Sequence, residues 1–184
     1  MGHETDKAME LQRLPSNALI TDKIAWARKW WEAYGGFIRS QDALIQMGKR
    51  FKDAVRRSRQ AMTETGMVEI CRQCGQKGVS CCGAGLERHY TDVLLLINLF
   101  LGVKLPDQRT DPRGCFFLGE KGCLLLARQV ICINFLCPDL TSRTDPDRLA
   151  VLRKREGEEI ALLFALNEGF LRFLRQAPAG EAHR

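Results

Sequence analysis

The sequence predicts a mainly α-helical fold in which long flanking helices pack around a small cysteine-rich module with a short β-hairpin. Three observations predict it. All eight cysteines fall between Cys71 and Cys137, with none in either flank. The flanks carry apolar residues at spacings of three and four, the period of a helix with one buried face. An apolar fraction of 45% over 184 residues suits one ordinary domain with a sizeable core and argues against extensive disorder.

The expected organisation is a flexible segment over residues 1–20, a single helical domain over 21–176 containing the cysteine-rich core 71–138, and a flexible tail over 177–184. The tail sequence, with Pro178, Gly180 and Glu181, has no apolar face and is expected to fray.

From Asp22 to about Met62, apolar residues recur at Ile24, Ala27, Trp31, Tyr34, Ile38, Leu44, Ile45, Phe51 and Val55. Thr21 or Asp22 is the expected cap. Gly35-Gly36 marks a kink or a division into two helices. Trp26, Trp30 and Trp31 at helical spacing are read as core or helix-packing residues, because burying aromatic area is their first use. Lys49, Arg50, Lys52, Arg56, Arg57 and Arg59 form a basic face. With Asp53 interleaved and no stacking aromatics nearby, it reads as a solvated surface rather than a nucleic-acid site.

A shorter helix is expected over Thr91 to Leu101, capped by Thr91 or Asp92 and stopped by Gly102 and Pro106. Cys115-Phe116-Phe117-Leu118, Gly119-Glu120-Lys121-Gly122 and Cys123-Leu124-Leu125-Leu126 read as strand, turn and strand, with a cysteine opening each arm. The last helix runs from about Asp145 to Gln176. Thr144 or Asp145 is its cap and Pro146 sits in its first turn. Its stretch Arg153-Lys154-Arg155-Glu156 reads as a wet face, and its apolar side is expected to pack on the amino-terminal helix.

The cysteines carry the chemistry. Cys71-x-x-Cys74-Gly75, the Cys81-Cys82 doublet, Cys115, Cys123, Cys132 and Cys137-Pro138 supply eight thiolates, which suit borderline and soft metals. A Cys-x-x-Cys turn directs two sulfurs to one ion, and the glycines at 75, 78, 83 and 85 permit the tight backbone around it. In an extended segment Cys81 and Cys82 face opposite ways, so they serve different metals, or one binds metal and the other packs. Cys132, beside Val130, Ile131 and Ile133, has the strongest claim to a packing role. All eight are candidate metal ligands, with their grouping open. The cofactor is zinc or an iron–sulfur cluster, in undetermined number; the full C-x2-C-x2-C-x3-C-P ferredoxin spacing is absent. Disulfides suit a small secreted chain, and a lone thioredoxin-like pair lacks its βαβ context.

Residues 71–138 resemble the YkgJ-like cysteine-cluster family, described as zinc- or iron-chelating CxxCxxCC proteins. The resemblance rests on Cys71-x-x-Cys74-Gly75, the Cys81-Cys82 doublet, the helix carrying Asp92-Val93, Cys115-x-Phe117-Leu118, Cys123 and the closing pair Cys132 and Cys137. Five residues, Gln76 to Ser80, separate Gly75 from the doublet, where the family commonly has a more compact CxxCGxCC. The resemblance implies metal binding and supplies no catalytic residue.

No HExxH, phosphate-binding or dinucleotide-binding motif is present, and no catalytic residue is assigned. His89 reads as a surface or helix-packing residue. The formal charge of +6 assumes protonated thiols. Eight thiolates remove eight charges and two divalent ions return four, leaving about +2. Bulk charge therefore argues little for a polyanionic partner. The longest apolar run, Val93 to Val103, is shorter than a membrane span, and no secretory signal opens the sequence. The expectation is a cytoplasmic metal-binding accessory or interaction protein with a protein partner, rather than an enzyme. The alternatives are an iron–sulfur redox or sensing protein and a metal storage or delivery protein.

Overall fold

The computed structural model describes residues 13–78 and 80–176; the expectations for residues 1–12 and 177–184 lie outside them. The architecture is helical with one two-stranded antiparallel hairpin. Helix α1 spans Ile20–Arg39, α2 Asp42–Glu64, α3 Met67–Gln76 and α4 Asp92–Phe100. Strands β1 (Leu118–Gly119) and β2 (Gly122–Cys123) follow, then α5 (Val130–Asn134), α6 (Pro138–Arg143) and α7 (Pro146–Gln176).

The amino-terminal helix divides after Arg39, not at Gly35-Gly36. Gly35 is where the Trp31 ring closes onto the backbone: a Cβ there would lie 3.1 Å from that ring. Ser40 ends α1, because its Oγ donates to the Phe37 carbonyl at 2.8 Å and its N–H to the same oxygen at 3.1 Å, competing with helical pairing. Neither Thr21 nor Asp22 caps α1. Leu19 holds the cap position without a side-chain bond, and Asp22 lies in the first turn, where its charge suits the helix dipole. Trp26 and Trp30 are buried, and their rings stack in series with Tyr34.

Thr91 caps α4 as expected, its Oγ1 accepting from Leu94 N at 3.1 Å, and Gly102 follows with φ 87°. The last helix starts as expected: Asp145 Oδ1 accepts from Arg148 N at 3.0 Å, one residue before Pro146. Helix α7 packs along α2, and α1 packs on α4, so the last helix lies on the second half of the amino-terminal pair. The main core joins α1, α2, α4 and α7 to Cys115, Phe116, Phe117 and Leu125. A smaller cluster of Ala61, Met67, Leu140 and Leu152 lies beneath α3 and α6.

Leu14 N and the Arg13 guanidinium both donate to Asp92, and Lys23 Nζ donates to the Ser16 carbonyl at 2.7 Å. The segment preceding α1 is thus held against α4. Among the described residues no helix is long and apolar enough to cross a membrane.

Candidate metal centre

The cysteines arrive from six local structures, and three differ from expectation. Cys71 and Cys74 sit on helix α3 rather than in a turn. Residues three apart on a helix share a face, so the pair still points one way. The hairpin is shorter than expected: pairing covers Leu118 with Cys123 and Gly119 with Gly122, and Cys115 lies outside it. Cys115 is placed instead by a bridge between Gly83 and Gly114, with Cys115 N donating to the Cys82 carbonyl at 2.8 Å. That backbone bond joins the doublet to the third cysteine segment.

The doublet is a bend, not an extended strand. Ser80 Oγ accepts from Cys82 N at 3.1 Å and turns the chain so that both sulfurs face each other. The interaction between the two side chains pulls Cys81 down to about 6 and pushes Cys82 above the ordinary thiol range.

The remaining sulfurs fall on either side of this pair. Burial raises Cys71, and the neighbouring charges of Cys81, Cys137 and Cys74 raise it further. After its hydrogen bond and burial, Cys82 feels Cys81, Cys123 and Cys132. Burial pushes Cys115 up to about 11, with Cys123 and Cys132 among its charged neighbours. All eight are free thiols. Soft sulfur donors fit zinc or an iron–sulfur cluster in chemistry. Among the described residues, no three His, Cys, Asp or Glu side chains converge as a metal-holding group.

Several side chains around the sulfurs lie outside the cysteine pattern. The buried Tyr90 side chain lies beside the Cys132 thiol and opposes the rise that burial gives it, so Cys132 has a polar neighbour rather than being simply packed. Arg59 Nη2 donates to the Leu125 carbonyl at 2.7 Å, and its charge lies near Cys123. It leaves the solvated face assigned to the basic run, while Lys49, Arg50, Lys52 and Arg56 stay exposed. Asn98 on α4 accepts from Leu126 N and Ala127 N and donates to the Ala127 carbonyl at 2.9 Å. It pins the link between β2 and α5.

Two carboxylates of α7 reach the closing pair through arginines. Glu159 accepts from Arg128 Nη2 at 3.1 Å, and Arg128 Nη1 donates to the Cys132 carbonyl at 3.4 Å. Glu156 accepts from Arg153 at 3.0 Å, and Arg153 donates to the Asn134 carbonyl at 2.5 Å. Glu156, read as wet from its charged neighbours, is 1% exposed. A sequence signal for both acids existed: Leu152, Glu156, Glu159, Leu163 and Leu166 follow alternating steps of four and three along the buried stripe.

Glu87 anchors the doublet loop. Burial opposes its ionisation, but bonds from Arg109 and from the N–H groups of Gly85 and Phe116 prevail and hold it below the usual carboxylate range. His89 has an exposed side chain; its carbonyl accepts from Gln129.

The chain matches no protein-family model, no curated protein and no solved structure.

Proposed function

We propose that the chain is a cysteine-ligated metal protein in which Cys71, Cys74, Cys81 and Cys137 form one ligand group and Cys82, Cys115, Cys123 and Cys132 the other. The observation that carries this reading is the set of eight free thiols among which Cys71, Cys82, Cys115 and Cys132 each have other cysteine sulfurs as neighbours. Neighbouring thiols without a bond between them repel one another on ionising. A bound cation removes that repulsion and supplies folding free energy. The resemblance of residues 71–138 to the YkgJ-like cluster family supports the same reading.

Zinc bound this way would fix the shape of the module and present it to a protein partner as an accessory or interaction surface. An iron–sulfur cluster would add electron transfer. Tyr90 and Arg128 beside Cys132, and Arg59 beside Cys123, would then help set its potential.

Cobalt(II) titrated into the reduced, metal-free chain tests the grouping. The expected result is thiolate-to-metal charge-transfer absorption saturating near about two ions per chain. Replacing Cys71 and Cys137 by serine is expected to remove half of it. A titration without thiolate bands would overturn the proposal.

A further inference from the structure

At the amino-terminal end of α1 lies a cavity of about 400 Å³ between the segment 13–17 and the turn Leu86–His89. Its floor is Lys23, which is only 2% exposed. The Lys23 ammonium donates to the Ser16 carbonyl at 2.7 Å and the Arg88 carbonyl at 3.1 Å. An ammonium has three hydrogens, so these two acceptors leave one donor over. They also leave its charge uncompensated. No carboxylate pairs with Lys23 among the described residues.

Asp92, the acid that lines the cavity, is already committed. Its Oδ1 accepts from Arg13 Nη2 at 2.8 Å and from Val93 N at 2.8 Å. Its Oδ2 accepts from Leu14 N at 3.1 Å and from Arg13 Nε at 3.4 Å. Arg13 consumes its charge, while Lys23 and the exposed Arg88 add two more cations to the same walls. A buried charge without a counter-charge is costly. A polar, cation-rich cavity of this volume is also the size of a small-ligand site.

We infer that this cavity binds a small oxyanion-bearing molecule, a phosphate ester or a carboxylate, whose charged group sits on the free donor of Lys23, with Arg88 adding positive charge at the rim. Nothing in this inference depends on metal. The site nevertheless adjoins the cysteines, because Tyr90 both lines the cavity and lies beside the Cys132 thiol. An occupant would lie one side chain from the proposed ligand groups.

Isothermal calorimetry on the full chain tests it, with inorganic phosphate in one arm, malonate in another, and chloride at matched ionic strength as the control. The expected result is saturable one-site binding of phosphate or malonate and none of chloride; the arm that binds distinguishes a phosphate-type from a carboxylate-type ligand. Lys23→Gln is expected to weaken binding by about tenfold or more. Arg88→Gln, a change at an exposed position that leaves the fold intact, is expected to weaken it about threefold. No saturable binding in either oxyanion arm would overturn the inference, as would unchanged affinity in folded Lys23→Gln. If Lys23→Gln does not fold, unchanged affinity in Arg88→Gln overturns it alone. Because the readout is heat of anion binding, a metal-free chain that binds the oxyanion separates this result from the metal reading.

Discussion

Arg128 and Glu159 form a buried ion pair, Nη2 to Oε1 at 3.1 Å, with side chains 7% and 0% exposed. The pair ties α7 to the segment that carries Cys132 and Cys137, because the same guanidinium donates to the Cys132 carbonyl. It is incompletely satisfied: Arg128 Nε and Glu159 Oε2 have no partner. Removing one member leaves a buried charge alone, which costs about 3–5 kcal/mol. Arg128→Met and Glu159→Leu are each expected to lose that much in urea unfolding. The double variant is expected to lose less than either single change, since two apolar residues remove both charges. Additive losses would contradict the pairing.

Glu156 makes stability depend on pH in a defined direction. Burial raises its carboxyl above the ordinary range, with the bond from Arg153 opposing. A folded-state value above the unfolded one means that the folded protein favours the protonated acid. The associated stability is fully present below the ordinary carboxyl range and is lost as pH rises through the raised folded value. Glu156→Gln keeps a neutral group there. Its unfolding free energy is expected to gain on that of the wild type as pH goes from acid to neutral, read from urea transitions at several pH values. Parallel curves would count against it.

How much of this was legible in the sequence differs by element. The cap of α4 and the start of α7 were readable because Thr91, Asp145 and Pro146 act locally. The division between α1 and α2 was not, because Gly35 serves the Trp31 ring and the break is made by Ser40. The eight cysteines were evident as a set. That Cys82 and Cys115 are neighbours was not, because the Gly83–Gly114 bridge that brings them together joins backbone groups far apart in sequence. Glu156 and Glu159 were hidden by composition: their charge suggested water while their spacing put them on the buried stripe. The Lys23 cavity was invisible because it depends on two backbone carbonyls.

Asn98 is expected to matter more than its place in an apolar run suggests. Asn98→Leu matches its size but leaves Leu126 N and Ala127 N without their acceptor. The cost is about 2–4 kcal/mol by analogy with other buried donors left unpaired. Hydrogen exchange at amides 126 and 127 is expected to accelerate ahead of the helices. Uniform acceleration across the chain would point to a general packing defect instead.

Two glycines of long helices are expected to respond in opposite senses to alanine. At Gly48 an added Cβ would lie 2.7 Å from the Phe100 ring, so Gly48→Ala is expected to destabilise by about 1–3 kcal/mol through overpacking. At Gly157, on α7, nothing lies within 4 Å. Gly157→Ala is expected to stabilise by about 0.5–1 kcal/mol through helix propensity. Thermal midpoints moving in the same direction would contradict the close approach of Gly48 to the Phe100 ring.

The most direct test of the central claim is the zinc, iron and acid-labile sulfide content of untagged chain purified without oxygen, measured with its absorption spectrum. The account predicts zinc, or iron matched by sulfide, in fixed stoichiometry of at least one centre per chain, reduced when Cys82 and Cys132 are replaced by serine. A colourless chain that carries none of these and takes up none on reconstitution, while remaining folded, would contradict it.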